Sequence, residues 1–276
     1  MWISKQLKLQ QKFDFEVPVW RLILSDGDCL LVEERDSDKR EAFYHVFELG
    51  TGRILLDRFS PPDKFWSGVE LFKDKRVIFH GYRSQGLPFH KGIFCYDLEK
   101  QSYLWQQPDL SFLISNEYGI YAFTQKFESQ EYLLLDKDTG QIIGEPASDD
   151  DSINQMIAEA RKNESFDDFV YPENFTLSKF NDGGYLEKLM PPGTLKEVTE
   201  VFSKDGLIFL NTHRGTRESG FINELLAIDI KNQKVIKKMV LNKRTENLIA
   251  ESCFIYKDFL FLIIDKKSIE IREIKK

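Results

Sequence analysis

Residues Glu131–Glu145 read EYLLLDKDTGQIIGE. Leu133–Leu135 is an apolar run of strand length, Asp136–Gly140 carries turn chemistry, and Ile142-Ile143 opens a return strand. Glycine supplies a positive φ at no steric cost, and an Asp or Asn side chain can hydrogen-bond its own turn backbone. The unit recurs. FELGTGRILLDRF, from Phe47, keeps Thr51-Gly52 and the apolar return Ile54-Leu55-Leu56. FCYDLEKQSYLWQQ, from Phe94, keeps Asp97 and puts Lys100-Gln101 in the turn. LLAIDIKNQKVIKKMV, from Leu225, keeps Asp229 and puts Asn232-Gln233 there. The acidic anchors Glu48, Asp97, Asp136 and Asp229 stand 49, 39 and 93 residues apart. The last gap is close to two steps of about 46, and a period of roughly 40–50 residues with four short strands per unit predicts an all-β chain folded as a β-propeller.

Taken in order, the chain divides into such units. Leu7, Leu9, Phe13, Phe15 and Val17 alternate weakly, as one N-terminal strand would. The first unit covers Val19–Ser60, with strands at Val19–Leu24, Cys29–Glu34, Ala42–Leu49 and Arg53–Phe59, and Pro61-Pro62 ends it. The second has strands at Val69–Phe72, Arg76–His80, Ile93–Asp97 and Tyr103–Gln106. The third has Phe112–Ser115, Ile120–Thr124, Tyr132–Leu135 and Gln141–Glu145. Behind Ser148–Ser152, the spacing Ile153, Met156, Ile157, Ala160 predicts one helix near 150–162, with acids at the positive end of its dipole. Residues 147–196 are an insertion or a worn unit, with Asn181-Asp182-Gly183-Gly184 expected as a hairpin turn. The pattern resumes at Val198–Phe202, Leu207–Asn211, Ile222–Ile230 and Val235–Leu241. The last unit has Leu248–Ile255, Phe259–Asp265 and Ser268–Ile274, one strand short. Residues 4–17 can supply that strand. The expectation is a single domain over 1–276, five blades with six as the alternative, closed by the N-terminal strand.

The chain has 276 residues, 42% hydrophobic and 13% aromatic, enough for a large core. A net charge of −7 argues against general binding of nucleic acid or an anionic membrane. Cys29, Cys95 and Cys253 lie far apart in apolar runs, without a CxxC pair, and read as buried reduced thiols. The N-terminal stretch has no continuous apolar segment of signal or membrane-span type. These features together predict a cytoplasmic protein.

The turn unit resembles the repeat of quinoprotein-type (pyrroloquinoline-quinone-dehydrogenase-like) β-propellers, in which each blade carries an apolar strand, Asp, Thr-Gly and an apolar return. The match is best at Leu134–Ile143 and next at Phe47–Leu56. It weakens at Tyr96–Leu104 and Ile228–Ile236. Enzymes of that family carry a signal segment, calcium-binding carboxylates and adjacent cysteines. This sequence lacks the first and last, so the resemblance implies the fold without the quinone, and no cofactor is expected.

Ligand sites in propellers gather where second-to-third strand connections meet. A basic residue follows each second strand: Arg35, Arg83, Lys126, Arg214 and Lys266. His90, His213 and Arg217 stand nearby. Arg35, Arg83, His90, His213 and Arg214 are therefore the candidate ligand-binding set, suited to a carboxylate, a phosphate or an acidic peptide. The four histidines, His45, His80, His90 and His213, include no HxH or HxxxH pair, and no metal site is expected. There is no P-loop, GxGxxG or GxSxG, and no catalytic residue is assigned. The sequence thus predicts a non-catalytic binding or scaffold protein for a protein or peptide partner. The alternative is an enzyme or binder for a carbohydrate or anionic small molecule. An enzyme of that kind would need two carboxylates roughly 5–10 Å apart, for which Glu70, Glu200 and Glu251 are the first-strand acids.

Overall fold

The computed structural model describes residues 7–25, 27–83, 89–127, 129–145, 150–162, 165–176 and 183–275. The chain divides into two compact units, one of Val17–Ser165 and one of Met1–Glu16 with Phe166–Lys276. Both are built from antiparallel sheets. Strand β1 (Leu7–Asp14) belongs to the second unit.

The Val17–Ser165 unit holds three four-stranded sheets, each with its strands in chain order. The first is β2 (Val19–Ser25), β3 (Cys29–Asp36), β4 (Glu41–Glu48) and β5 (Ile54–Phe59). The second is β6 (Ser67–Lys73), β7 (Arg76–Tyr82), β8 (His90–Asp97) and β9 (Ser102–Gln107). The third is β10 (Ser111–Ser115), β11 (Ile120–Gln125), β12 (Gln130–Leu135) and β13 (Ile142–Gly144). Alternation along β7 explains why the sheets stack. Val77 and Phe79 point into a core with Leu31, Tyr44 and Val46 of the first sheet. Ile78 points the other way, into a core with Ile120, Ala122, Leu133 and Leu135 of the third. A strand buried on both faces needs the continuous apolar run that Val77-Ile78-Phe79 supplies. Helix α1 (Asp150–Lys162) follows, with Arg161 and Lys162 in its last turn, where the dipole favours cations.

The second unit holds two five-stranded sheets. Strand β14 (Phe169–Val170) is an edge of one sheet and β15 (Glu173–Asn174) of the other. After helix α2 (Gly183–Leu189), β15 is continued by β16 (Glu200–Lys204), β17 (Leu207–Thr216), β18 (Gly220–Asp229) and β19 (Lys234–Thr245). The last sheet runs β14, β20 (Cys253–Tyr256), β21 (Phe259–Ile264), β22 (Ser268–Ile274) and β1. Strand β1 pairs with β22, from Leu7 opposite Ile274 to Asp14 opposite Ser268. The two sheets share one core, with Phe209, Leu225 and Leu241 against Leu7, Ile255 and Leu262.

The repeated turn is built as the sequence reads it. Asp136 Oδ1 accepts from the Asp138 and Thr139 backbone N–H groups at 3.1 and 2.8 Å and from Thr139 Oγ1 at 2.8 Å. Asp97 Oδ1 accepts from Glu99 N and Lys100 N at 2.8 and 2.9 Å, and Asp229 Oδ1 from Asn232 N at 3.1 Å. The residue closing each turn is left-handed: Gly52 at φ 74°, Gln101 at 53°, Gly140 at 67° and Gln233 at 47°. Gly140 also has no room for a side chain, since a Cβ there would lie 2.5 Å from the Trp105 ring.

Two expectations need correction. Gly183-Gly184 open α2 instead of turning a hairpin, while Asn181 and Asp182 lie outside the described residues. Burying Tyr185, Leu186 and Leu189 against Val201, Ile208 and Leu210 outweighs the poor helix propensity of the glycine pair. The strand expected from Leu248 begins at Cys253. The Ile249 carbonyl is taken by His213 Nε2 at 2.9 Å, so that stretch follows a side chain and not a sheet.

Candidate functional site

Glu70, His80 and His90 come from three successive strands of one sheet, β6, β7 and β8. Register and two bulges bring them together. In the β6–β7 pair Val69 faces Phe79 and Leu71 faces Ile78, which leaves Glu70 as an extra residue. In the β7–β8 pair His80 faces Ile93 and Gly81 faces Lys91, which leaves Gly92 as the extra residue, at φ 91°. Bulges re-aim side chains, and they concentrate beside functional sites. His80, Tyr82 and the residue opposite Tyr82, His90, share one face of the sheet.

Glu70 Oε1 lies 2.9 Å from His80 Nδ1 and 2.7 Å from His90 Nδ1. The two imidazoles stack with centroids 3.5 Å apart and planes 13° apart. Tyr82 stands edge-on to both, at 5.2 and 5.1 Å. His80 is 5% exposed, whereas the His90 side chain is 37% exposed and opens the group to solvent. Gly68, opposite His80 on β6, makes this packing feasible, since a Cβ there would lie 2.7 Å from His80 Cε1. Burial opposes the charge on Glu70, but His80 and His90 outweigh it and hold the carboxyl below its ordinary range. Burial lowers the affinity of His80 for a proton, despite Glu70 beside it. A carboxylate and two imidazoles in this arrangement can hold a transition metal, pass a proton or grip a polar ligand.

A band of aromatic and arginine side chains leads from this group along the same unit. Tyr82 lies 5.6 Å from Trp66, edge to face, and Trp66 lies 5.4 Å from Phe65. The Arg40 guanidinium sits 5.6 Å from the Trp66 ring. Arg35 sits 5.3 Å from the Phe65 ring and 5.9 Å from Trp20, which is itself 68% exposed. Trp20 is the extra residue of a bulge in β2, as Glu70 is in β6.

The five residues singled out from the sequence fall in different settings. His90 belongs to the Glu70 group. Arg35 is held by Glu33 and by the Phe65 and Ser67 carbonyls, at 3.0 and 2.6 Å, and it stiffens the aromatic band from behind. Arg83 is exposed and donates its backbone N–H to Phe89 O at 2.9 Å. His213 and Arg214 lie in the second unit. His213 is buried against the Ile249 carbonyl, and Arg214 pairs with buried Glu224 at 3.2 Å, as Lys238 does at 3.0 Å. Sequence reasoning named Glu70 but missed its meeting with His80 and His90, because their register depends on bulges that no local signal marks. An open cleft of about 540 Å³ lies at the other, turn end of the strands, lined by Arg53, Lys75, Glu99 and Gln101. Its charges are satisfied locally, Lys75 by Glu99 at 2.8 Å and Arg53 by Glu48 at 3.1 Å. The three cysteines are buried and free, and burial raises each thiol, Cys95 to about 11, the direction that disfavours the reactive thiolate.

Residues 23–105 match the model of a domain of unknown function, DUF4905, a stretch of less than half the chain that includes Glu70, His80 and His90. No curated protein matches the sequence. Among solved structures, the chain is similar to the β-propeller domain of the trilobed protease from Pyrococcus furiosus, at 9% identity and a TM-score of 0.31, over 94% of this chain and 68% of that one. It is also similar to the quinohemoprotein alcohol dehydrogenase from Comamonas testosteroni, at 12% identity and a TM-score of 0.31, over 95% of this chain and 44% of that one. A post-proline cleaving enzyme from Rickettsia typhi gives 13% identity and a TM-score of 0.30, over 95% of this chain and 45% of that one. The chain therefore spans less than half the length of these two enzymes. Likeness at this level says nothing about the chemistry of this chain.

Proposed function

We propose that this chain is a cytoplasmic, non-catalytic binding protein with a β-propeller plan. In that plan its five sheets are blades, β1 completes the last one, and the partner is a protein or peptide segment bearing acidic residues. The observation that carries the reading is the band Trp20–Arg35–Phe65–Trp66–Tyr82. Aromatic and arginine side chains are the types enriched at protein interfaces, where a flat ring buries much area at little entropic cost. Here the rings are pre-set. Arg35 and Tyr44 are both tied to the Ser67 carbonyl, at 2.6 and 3.1 Å, so the surface is held in place by buried polar bonds. Arg40, over the Trp66 ring, supplies charge for carboxylates at the border of the band. Face-to-face stacking of successive four-stranded sheets supports the blade plan. Buried, protonated thiols fit a reducing compartment, and among the described residues no helix is long and apolar enough to cross a membrane.

The test is panning of a random peptide library on immobilised protein, followed by titration of the selected peptides. Peptides rich in Asp or Glu should emerge, and they should bind at least about tenfold more weakly to the Trp20→Ser/Trp66→Ser variant, since hot-spot aromatics cost about 2 kcal/mol or more on truncation. Selected peptides that bind the variant as well as the parent would remove the band from the reading. A carbohydrate ligand is the second reading, favoured by the exposed face of Trp20 beside a carboxylate-bearing sheet. It predicts stabilisation by sugars that vanishes in the same variant.

A further inference from the structure

Sequence spacing alone gave no reason to expect a metal, yet the sheet gathers three metal-ligating side chains at one point. Among the described residues, Glu70, His80 and His90 are the group of histidine, cysteine and carboxylate side chains whose ligand atoms all lie within 4.8 Å of one another. We propose that Glu70 Oε1, His80 Nδ1 and His90 Nδ1 form a divalent transition-metal site, of the class filled by zinc. The inference is independent of the aromatic band.

The spacing of the donor atoms is close to what such an ion requires. Zinc bonds to imidazole nitrogen and carboxylate oxygen are about 2.0–2.2 Å, so the ligands of a tetrahedral site stand about 3.3 Å apart. The carboxylate oxygen is 2.9 and 2.7 Å from the two nitrogens. Opening the group by about half an ångström makes room for the ion, and the part-exposed His90 ring must also turn out of its stack on His80, since the ion has to lie in the plane of each imidazole whose lone pair it takes. The protein-only arrangement is also incomplete. His80 Nδ1 is 2.9 Å from Glu70 Oε1 yet makes no aligned hydrogen bond, and His80 Nε2 has no hydrogen-bond partner either. The side chain carrying these two nitrogens is 6% exposed. A buried ring whose nitrogens lack aligned partners is costly unless something else satisfies them. A metal on the Nδ1 lone pair satisfies that nitrogen and fixes the ring proton on Nε2.

The ligand set also fixes the class of ion. Two imidazoles and one carboxylate suit zinc, cobalt(II) or iron(II), whereas magnesium and calcium prefer oxygen donors throughout. The group offers no thiolate. His90 faces solvent, which leaves a coordination position for water or for a donor atom of a ligand, the pattern of an open site and not of a closed structural one. Gly68 and the bulge at Glu70 serve the same end, one by making room for the His80 ring and the other by turning the carboxylate onto it.

The test uses the untagged full chain after chelator treatment, titrated with cobalt(II) and then zinc(II), with calcium as the contrast. One equivalent of cobalt should produce visible absorption, zinc should abolish it, and calcium should not. Zinc should raise the Tm by several degrees. His90→Gln and Glu70→Gln should each weaken cobalt binding by roughly 100-fold or more, beyond the 10–100-fold typical of losing an outer-shell partner. His45→Gln should bind as the parent does. The parent chain failing to bind cobalt or zinc, or binding that is equal in His90→Gln, overturns the site. Because His90 is part-exposed, that variant keeps the fold, and circular dichroism without metal verifies it.

Discussion

His213 was a candidate ligand contact by its place after a second strand, and in the folded chain it is a core residue. Its ring is 3% exposed, with Nε2–H donating to the Ile249 carbonyl. Burial lowers its proton affinity below the ordinary value, and the contact to Ile249 and the nearby Glu200 only partly oppose this. The sign follows. The unfolded chain protonates this imidazole near pH 6.5, while the folded chain resists, so the unfolded state binds more protons and stability falls as pH drops from about 7 towards 5. The loss stops growing only below the folded-state value. A His213→Gln variant, which can still donate a hydrogen bond, is expected to show a shallower fall in urea-unfolding free energy over that window. Equal slopes in parent and variant would mean that His213 does not titrate in this way. The same residue scale explains why Gly140 stands in the best copy of the turn and Gln101 in a weaker one. Gln101 tolerates a positive φ because its side chain is tied to the Leu55 and Leu98 carbonyls at 2.7 and 2.6 Å.

At the scale of elements, the second unit contains a row of buried amides across β17, β18 and β19. Asn223 Nδ2 donates to Asn211 Oδ1 at 2.6 Å, and Asn242 Nδ2 donates to Asn223 Oδ1 at 3.0 Å. Asn211 in turn donates to Glu200 Oε2 on β16 at 2.7 Å. A one-residue slip would break every link, so the row fixes the pairing register. Asn223→Ala would leave Asn211 Oδ1 and Asn242 Nδ2 without these partners. At about 1–3 kcal/mol for each such buried group, a loss of roughly 2–5 kcal/mol is expected by chemical denaturation. A loss under about 1 kcal/mol would mean that the row is not a structural constraint. The strands of the Val17–Ser165 unit were readable because apolar runs alternate with Asp-containing turns, and strand ends agree to within three residues. The segment between α1 and β16 was not, because its two-residue strands β14 and β15 have no periodicity of their own and exist only as edges to β20 and β16. The site was half readable for a related reason. Glu70 stood out as an acid within an apolar strand, but a bulge is invisible to a rule of strict alternation.

At the scale of the molecule, the sheet that joins β1 to β22 is the most informative feature. Leu7 is 3% exposed in the core it shares with Phe209, Leu225 and Leu262. Removing residues 1–14 would cost about 2 kcal/mol for Leu7 alone, and it would bare the backbone edge of β22 to other chains. The truncated protein should melt several degrees lower and associate with rising concentration on size exclusion. A monomer of unchanged Tm would show that β1 is dispensable. Pairing Leu7 with Ile274 also sets an order in time. The sheets of Val17–Ser165 join neighbours in sequence and can form while the chain is still growing. Strand β1 is made before β22, with Asp14 and Ser268 separated by 254 residues, and must wait for that partner. At about 5–20 residues per second the wait is on the order of tens of seconds. For that interval a nascent chain carries an unmatched strand, so chaperone demand should be set by β1 more than by any later sheet.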